Sequence, residues 1–467
     1  MRRFSSVLTV IALLAATGAP AQAETRVVPE SKAQLQLSFA PIVKRAAPAV
    51  VNVYASRTLR AQGMSPMFDD PVFKRFFGDN PFGMPRDRVE SSLGSGVIVD
   101  PSGLIVTNHH VIKDATEVKV ALADKREFEA EIVLKDERTD LAVIRIKERG
   151  AFPFAQLGDS DALEVGDVVL AIGNPFGVGQ TVTQGIVSAL ARTQVGVADF
   201  RFFIQTDAAI NPGNSGGALV DINGKLVGVP SAIYSRSGGS IGIGFAIPVS
   251  MVKFIVEQAR NGGVVRRPWL GATLQTVTPD VAESLGLKRP QGALVTGVVA
   301  GGPAARAGLK VGDLVLTIDG IDVDDPDAFG YRFSTKPLGG VTRLDVQRGS
   351  ATRPIEVPLM SAPETTPRDE RKIDGYSPFG GATVLNLSPA VIEELHVNLS
   401  GEGVVVKEVV PGSPANRVGF QKGDVVLEVN GQKVDTTRTL ARIAQSDPGI
   451  WRLAVQRDGQ VIRMAFR

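Results

Sequence analysis

The chain has 467 residues, of which 43% are hydrophobic and 21% are charged, a globular composition with room for about three domains of ~150 residues each. The absence of cysteine excludes thiolate catalysis, disulfides and cysteine-ligated metal sites. With only three histidines, we expect no metal site and no cofactor.

The first 23 residues have the pattern of a secretory signal peptide. Arg2 and Arg3 supply positive charge, Val7–Ala16 is a short apolar run, and Ala21–Ala23 predicts cleavage after Ala23. The run is shorter than the ~20 residues of a membrane-spanning helix, and an uncleaved N-terminal anchor is the alternative. Because no longer apolar run follows, we expect an exported protein, in the periplasm, with no stable membrane span.

Removing this segment also changes the charge balance. Only Arg2 and Arg3 are charged in it, so Lys plus Arg falls from 51 to 49, which equals Asp plus Glu. The basic pI of the full chain therefore gives no reason to expect nucleic acid as a partner.

The next 240 or so residues read as a β-rich domain, either a barrel or a sandwich. Seven short runs rich in β-branched residues are bounded by Gly, Pro, Asp or Asn and are predicted strands: 50–54, 96–99, 104–107, 117–122, 141–146, 167–172 and 181–187. Residues 64–83 are rich in Phe and Pro and predict a long loop, used either for self-association or as a buried flap. Residues 248–260 predict a helix at the end of the domain.

Three motifs in this domain carry nucleophilic chemistry. Ser215 stands within Gly213–Gly217 (GNSGG), where neighbours without side chains let a substrate carbonyl approach and let backbone N–H groups face an oxyanion. His110 follows an apolar strand, and Asp140 precedes another. Their order along the chain, His, Asp and Ser, is that of the chymotrypsin arrangement and not of the subtilisin or α/β-hydrolase arrangements. A plain Gly-rich turn is the alternative for the pentapeptide alone.

An internal repeat occupies the C-terminal part of the chain. Residues 292–308 match 403–419, and the match continues without gaps to Asp319-Gly320 and Asn430-Gly431, always with an offset of 111 residues. Two copies at this spacing indicate tandem domains. Each copy predicts a short helix with an early Pro and a final Gly, then a strand that enters a hairpin turn. The polar, Pro-interrupted residues 361–372 between the copies predict a linker.

From residue 38 to its end, the chain resembles the HtrA/Deg (Do-like, DegP/DegQ-type) family of periplasmic serine endoproteases. The segments that carry the resemblance are 94–98 (GSGVI), 107–111 (TNHHV), 139–143 (TDLAV), 171–175 (AIGNP), 206–217 (TDAAINPGNSGG), 242–248 (GIGFAIP) and both repeats. It implies a mainly β fold, in which a chymotrypsin-like double β-barrel protease domain is followed by two α+β PDZ domains. The implied boundaries are 1–23 for the signal peptide, 24–263 for the protease, 264–360 for the first PDZ domain, 361–372 for the linker and 373–467 for the second.

The resemblance also implies roles for single residues. His110, rather than its neighbour His109, is the base of a triad with Asp140 and Ser215, while the backbone of Gly213 and Ser215 forms the oxyanion hole. Arg192 occupies the place of a regulatory arginine in the sensor loop. Residues 234–240 match the loop beside the specificity pocket. In the run 229–231 (VPS), which replaces a more usual I-N-T type, Pro230 predicts altered strand pairing because proline cannot donate to a ladder.

For the repeats, the resemblance implies capture of peptide C-termini. Leu270, Gly271 and Ala272 match a PDZ carboxylate-binding loop, whereas 379–381 (FGG) is a poorer match, for which we favour a packing or assembly role. The implied partners are unfolded or misfolded polypeptides, hydrophobic C-terminal peptides and other copies of the chain in trimers or larger assemblies.

Three functions remain open from the sequence. The first is an ATP-independent quality-control endopeptidase of the stress response, since no phosphate-binding G-x-x-x-x-G-K-[ST] motif is present. The second is a chaperone-like binder with conditional proteolysis, and the third is a PDZ scaffold on an inactive protease. The complete set of His, Asp and Ser argues against the third.

Overall fold

The computed structural model describes residues 38–59, 88–174, 179–192, 202–211, 213–233, 240–395, 403–446, 448–457 and 459–466. The predicted signal peptide, the Phe-rich 64–83 loop and most of the 234–240 loop lie outside these residues. No helix within the described part is both long and apolar enough to cross a membrane.

Two closed barrels of six antiparallel strands make up the N-terminal part. The first is joined in the order β1-β2-β3-β6-β5-β4 and the second in the order β10-β11-β12-β9-β8-β7. The strands of the first are β1 (Val50–Leu59), β2 (Arg88–Asp100), β3 (Leu104–Asn108), β4 (Glu117–Ala121), β5 (Glu127–Asp136) and β6 (Leu141–Ile146). Those of the second are β7 (Val168–Gly173), β8 (Thr181–Arg192), β9 (Phe203–Thr206), β10 (Ala218–Val220), β11 (Leu226–Ile233) and β12 (Gly244–Pro248).

The double barrel confirms the predicted fold class, and all seven predicted strands are present within it. Each barrel has its own apolar interior. A larger cluster joins them, to which Leu104 and Leu141 contribute from the first barrel and Leu170 and Phe245 from the second. Burial of apolar surface between the barrels therefore fixes their relative position, and the crevice along this junction holds the candidate site.

Helices are short except for the one that ends the double barrel. Before the barrels lie α1 (Ala40–Ala46) and a 3₁₀ turn (Ala47–Ala49), α2 (His109–Ile112) follows β3, and α3 (Val249–Arg260) follows β12. The apolar face of α3 is buried in the cluster between the barrels. The helix predicted over 248–260 is thus present.

Each repeat forms one antiparallel sheet with three short helices. The first contains β13 (Ala272–Thr276), α4 (Pro279–Ser284), β14 (Ala293–Val298), α5 (Pro303–Ala307), β15 (Leu314–Ile318), β16 (Ile321–Asp322), α6 (Pro326–Ser334), β17 (Val341–Arg348) and β18 (Ala351–Pro358). The second contains β19 (Arg371–Lys372), β20 (Ala382–Asn386), α7 (Pro389–Leu395), β21 (Val404–Val409), α8 (Pro414–Val418), β22 (Val425–Val429), β23 (Gln432–Lys433), α9 (Thr437–Ala444), β24 (Trp451–Arg457) and β25 (Gln460–Phe466).

The local signals of the repeat have the expected conformations. Gly308 and Gly419 end α5 and α8 with φ of 84° and 91°, a left-handed conformation that glycine adopts without steric cost. The Asp-Gly and Asn-Gly pairs form two-residue hairpin turns, with φ of 50° at Asp319 and 51° at Asn430. One expectation needs adjustment, because β19 lies within residues 361–372 and is hydrogen-bonded to the second sheet.

Candidate active site

Three elements bring the predicted triad residues to the junction of the barrels. His110 lies in α2, directly after β3, and Asp140 precedes β6 in the same barrel. Ser215 lies on the turn before β10 in the second barrel. The backbone N–H of Ser95, on β2 in the first barrel, donates to the Ser215 carbonyl at 2.9 Å, so the serine turn is tied to the barrel that carries the other two residues.

Asp140 is the most firmly held group of the site. Its carboxylate accepts from the backbone N–H of His110 at 3.0 Å, and His110 Nδ1 lies 2.8 Å from Oδ2. The Ser231 hydroxyl donates to Oδ2 at 2.6 Å. The Asp140 carbonyl accepts from the Asn108 side chain and from the backbone N–H of His109, at 2.9 and 3.0 Å. Asp140 is 5% exposed, so the donors to its carboxylate replace the water that it loses on burial.

The two adjacent histidines differ in their surroundings. His110 faces the carboxylate of Asp140, and its side chain is 46% exposed, so a substrate can reach its other ring nitrogen. His109 makes no hydrogen bond with this carboxylate among the described residues. Burial lowers the pKa of His109, because the charged imidazolium is disfavoured away from water.

The hydroxyl of Ser215 is directed to a backbone carbonyl in this structure. Its Oγ lies 3.5 Å from the carbonyl oxygen of Ser231, at the outer limit of a hydrogen bond, and no hydrogen bond to the His110 ring is present among the described residues. Among the predicted triad residues, the structure therefore shows the His110–Asp140 contact but no hydrogen bond from Ser215 to His110.

The glycines around Ser215 are required by close packing as well as by backbone conformation. Gly213 and Gly216 have φ of 98° and 82°. A Cβ on Gly216 would lie 2.2 Å from the Ser95 carbonyl oxygen, and one on Gly217 would lie 2.4 Å from the Ile172 carbonyl oxygen. Larger residues would therefore displace the turn from both barrels.

Some backbone N–H groups of this turn donate hydrogen bonds to described residues, and others do not. Those of Asn214, Gly216 and Gly217 donate to carbonyl oxygens of Asn211, Pro230 and Asn214 respectively. Those of Gly213 and Ser215 make no hydrogen bond with any described residue. Two donors left unused on one turn match the requirement of an oxyanion hole.

Ser231 is a residue of the site that the sequence did not single out for a role. It lies on β11, is 6% exposed, and contacts Asp140 through its hydroxyl and Ser215 through its carbonyl. The only signal was the unusual run 229–231, and β11 indeed has a register shift between Pro230 and Ala232. The motif could not show that a hydroxyl there reaches a carboxylate 91 residues earlier in the chain.

The predicted regulatory elements are partly described. Arg192 ends β8 opposite Phe203 on β9, but its side chain lies outside the described residues. Of the 234–240 loop, only Ser240 is described, and its backbone N–H donates to the Asn211 side chain at 3.2 Å. The end of this loop is thus joined to the start of the segment that carries Ser215.

Leu270, Gly271 and Ala272 border a groove of the first repeat. The groove has a volume of about 280 Å³ and lies between β13 and α6, with Phe329 and Phe333 on its helical side. Gly271 has φ of 71°, and the carbonyl of Leu270 accepts from the backbone N–H of Ala304 at 2.9 Å. The lining combines apolar side chains with the charged Arg138, Arg267 and Glu393. The outer edge of β13 pairs with no described strand, as strand addition by a peptide requires.

The first repeat contacts the end of β5, just before Asp140. Arg267, two residues before Trp269, forms an ion pair with Asp136 at 2.5 Å, in which both side chains are 7% exposed. On another face, the ring of Tyr331 on α6 stacks on Phe202 with centroids 3.9 Å apart. Burial raises the pKa of the Tyr331 phenol, which stays neutral and hydrogen-bonds Ser250. The segment before β13 and the helix α6 thereby contact two segments of the double barrel.

Among the described residues, no group of three or more His, Asp or Glu side chains is placed to hold a metal ion.

Comparisons with known proteins agree with the geometry. A family model described as a trypsin-like peptidase domain matches residues 94–229, and one described as a PDZ domain matches residues 294–348 and 405–457. The repeats are therefore PDZ domains, as the resemblance implied.

Whole-chain relatives extend this agreement. A probable periplasmic serine endoprotease, DegP-like, of Ectopseudomonas mendocina (strain ymp) is 40% identical over 431 residues, which covers 88% of this chain and 89% of that protein. Periplasmic serine endoprotease DegP of Escherichia coli (strain K12) is 37% identical over 461 residues, 93% of each chain. The solved structure of the HtrA-type protease AlgW with a decapeptide is 46% identical, covers 70% of this chain and 99% of that chain, and has a TM-score of 0.54. The chain thus belongs to the DegP/HtrA family of periplasmic serine endoproteases and is a serine endopeptidase with a trypsin-like domain and PDZ domains.

Proposed function

We propose that this protein is an ATP-independent endopeptidase that degrades unfolded or misfolded exported proteins through an acyl-enzyme on Ser215. The observation that carries the proposal is the pair of His110 Nδ1 and the Asp140 carboxylate, 2.8 Å apart and beside the Ser215 turn. A buried carboxylate that orients an accessible imidazole next to a serine is the arrangement that acyl transfer needs.

The proposed steps use only these groups. His110 Nε2 takes the proton of Ser215 Oγ as that oxygen attacks the peptide carbonyl, and Asp140 stabilises the imidazolium that forms. The backbone N–H groups of Gly213 and Ser215 stabilise the oxyanion. The protonated imidazole then gives its proton to the leaving amine. Water, activated by the same imidazole, hydrolyses the acyl-enzyme.

The lack of a Ser215–His110 hydrogen bond among the described residues supports a resting state that substrate converts to an active one. We propose that Arg192 takes part in this conversion, since it ends the strand paired with Phe203, and the adjacent Phe202 contacts Tyr331 of the first PDZ domain. Peptide C-termini would bind at Leu270, Gly271 and Ala272, and their binding would reach the site through α6. The domain boundaries at residues 23, 263 and 360 belong to the same proposal, with β19 included in the second PDZ domain.

The cellular setting is inferred from the signal pattern and from the names of the relatives. We propose export to the periplasm with cleavage after Ala23, and assembly into homotrimers or larger homo-oligomers. The substrate range, quality control and a role in the stress response follow from the same family relationship.

The test of the proposed function is a comparison of substrates that differ only in folding. The mature chain, from residue 24 onward, should degrade casein and a reduced, unfolded protein without ATP, while the same protein in its native disulfide-bonded form stays intact. Product ends identified by mass spectrometry should show internal cleavage. Degradation of the native form at a similar rate would contradict a preference for unfolded chains.

Chaperone activity is a second candidate, favoured by the Ser215 hydroxyl, which is directed to the Ser231 carbonyl and makes no hydrogen bond to the His110 ring among the described residues. In this state the protein could hold unfolded chains without cutting them. The Ser215→Ala variant should then suppress aggregation of a thermally unfolded protein at stoichiometric concentration, as followed by light scattering. Aggregation at the rate seen without the variant would leave proteolysis as the sole activity.

Ser231 is a positioning residue for Asp140, and we expect its substitution to lower kcat less than substitution of Ser215 or Asp140. Ser231→Ala should lower kcat by about 10- to 100-fold, because a hydrogen bond to a charged group contributes about 1.5–3 kcal/mol. KM for a peptide substrate should change little, since Ser231 acts through Asp140. Ser231→Thr keeps a hydroxyl and should restore most of the rate, a rescue that a packing role would not produce. Equal rates for the Ala variant and the wild type would exclude the role.

A further inference from the structure

The two PDZ sheets differ at the edge that a peptide ligand would use. In the first, β13 pairs with β14, and no strand pairs with its other edge among the described residues. In the second, the equivalent strand β20 pairs with β21 on one side and with β19 on the other. The chain's own segment before the second PDZ domain therefore occupies the edge that is free in the first.

This segment, Arg368–Ile373, runs in the direction of a PDZ ligand. It is antiparallel to β20, with Arg371 opposite Val384. At one end, the backbone N–H of Asn386 donates to the Arg368 carbonyl at 2.8 Å. At the other end, the backbone N–H of Ile373 donates to the Ala382 carbonyl at 2.8 Å. These are main-chain bonds of the kind that strand addition forms.

Ile373 takes the position of a ligand's last residue. The backbone N–H of Gly381 donates to the Ile373 carbonyl at 2.7 Å. Gly381 corresponds to Gly271 in the loop proposed for carboxylate capture, because their carbonyls accept from the equivalent residues Val410 and Val299. The Ile373 carbonyl thus receives the N–H group that a free carboxylate would use.

The side chains of the segment are also bound. Ile373 is 3% exposed and packs in the apolar cluster that contains Phe379, Leu440 and Ile443. Four residues earlier, the Asp369 carboxylate accepts from the Thr437 hydroxyl at 2.9 Å, at the start of α9.

Further ion pairs hold the charged positions of the segment. Glu370 lies 2.8 Å from Lys407 on β21, and Arg368 lies 2.8 Å from Glu394 on α7. Lys372, by contrast, is exposed. The segment is therefore held by the buried side chain of Ile373 and by polar contacts of the residues before it. The exposed Lys372 side chain takes no part in these contacts.

We propose that Arg368–Ile373 is an internal ligand of the second PDZ domain, which closes this domain to C-terminal peptides until the segment is displaced. The competitor that fits is a peptide with an aliphatic last residue and an acidic residue four positions before it. Because the segment is also the connection from β18 to the second PDZ domain, its release would lengthen the tether between the two PDZ domains. While the segment occupies the second PDZ domain, only the first PDZ domain can bind peptide C-termini.

The tethered segment has a large advantage over a free peptide. A short covalent connection gives an effective concentration in the millimolar range. A groove that is open for only a fraction of the time binds with an affinity reduced by that fraction. Opening the groove should therefore strengthen binding of the matching peptide to the second PDZ domain by at least about tenfold.

The test uses the mature full-length chain with Ser215→Ala, so that no peptide is cleaved, and it requires neither proteolysis nor binding at the first PDZ domain. The probe is the hexapeptide Arg-Asp-Glu-Arg-Lys-Ile with a free C-terminal carboxylate. Hydrogen exchange followed by mass spectrometry localises its binding to β20 and α9, as distinct from β13 and α6. The opened variant combines Asp369→Ala with Ile373→Ser, and Lys372→Ala in the same segment is the matched control.

We expect slow exchange across 371–373 in the parent, and peptide-induced protection of β20 and α9 in the opened variant at concentrations at least about tenfold lower than in the parent or the control. Exchange at 371–373 as fast as in an unstructured peptide would overturn the proposal. So would equal peptide affinity of β20 in parent and opened variant, or no binding to an opened variant that keeps protection of β22 and β24. If the opened variant loses that protection, its second PDZ domain is no longer folded. The rate of hydrogen exchange at 371–373 in the parent then tests the proposal by itself.

Discussion

Ser215→Ala should abolish peptidase activity while leaving the fold intact. In a serine protease triad, loss of the nucleophile lowers kcat on the order of a millionfold. The stability should hardly change, because the hydrogen bond of the Ser215 Oγ to a described residue is weak, at 3.5 Å. Degradation of casein and a thermal melt of the mature chain measure the two quantities.

The control for this prediction is Ser284→Ala, which removes an exposed hydroxyl from α4 in the first PDZ domain. It should cleave casein at the wild-type rate. Residual activity of Ser215→Ala within a hundredfold of the wild type would mean that another residue is the nucleophile. Loss of activity accompanied by a lower melting temperature would point instead to a damaged serine turn.

Asp140→Asn should lower kcat about 10⁴-fold, the second largest effect that we expect. The carboxylate accepts hydrogen bonds from the His110 backbone, the His110 ring and the Ser231 hydroxyl. The amide of the variant has one accepting oxygen, and its NH₂ group would face a donor or force the imidazole into the wrong tautomer. The imidazolium of the transition state would also lose its counter-charge.

The measurement is kcat for a peptide substrate, with Asp322→Asn as the control because its carboxylate lies on an exposed hairpin of the first PDZ domain. KM should change much less than kcat, since Asp140 does not contact the substrate in the proposed mechanism. A loss below about a hundredfold would show that Asp140 does not orient the base.

The fold was accessible from the sequence wherever the signal was local. The strand 141–146 was predicted with its observed bounds because it is a continuous apolar run next to turn residues, as expected for a strand buried on both faces. The hairpin turns at Asp319 and Asn430 follow from the positive φ that Asp-Gly and Asn-Gly pairs adopt. Strands β9 to β12 were not predicted, because they lie among motif and loop residues whose pairing is between distant parts of the chain.

The sequence by itself determined which residues could act: a serine between glycines, a histidine after a strand, an aspartate before one, and two copies of a domain. These are decided by residue type and short spacing. Only the tertiary structure decided that Ser231 reaches Asp140, that Arg267 pairs with Asp136, and that residues read as a linker complete the second PDZ sheet. Each of these contacts joins different strands or domains, and a hydrogen bond or ion pair between distant segments leaves no local pattern. The composition of 361–372 is that of a solvated loop, and its pairing with β20 depends on an open edge that only the folded sheet provides.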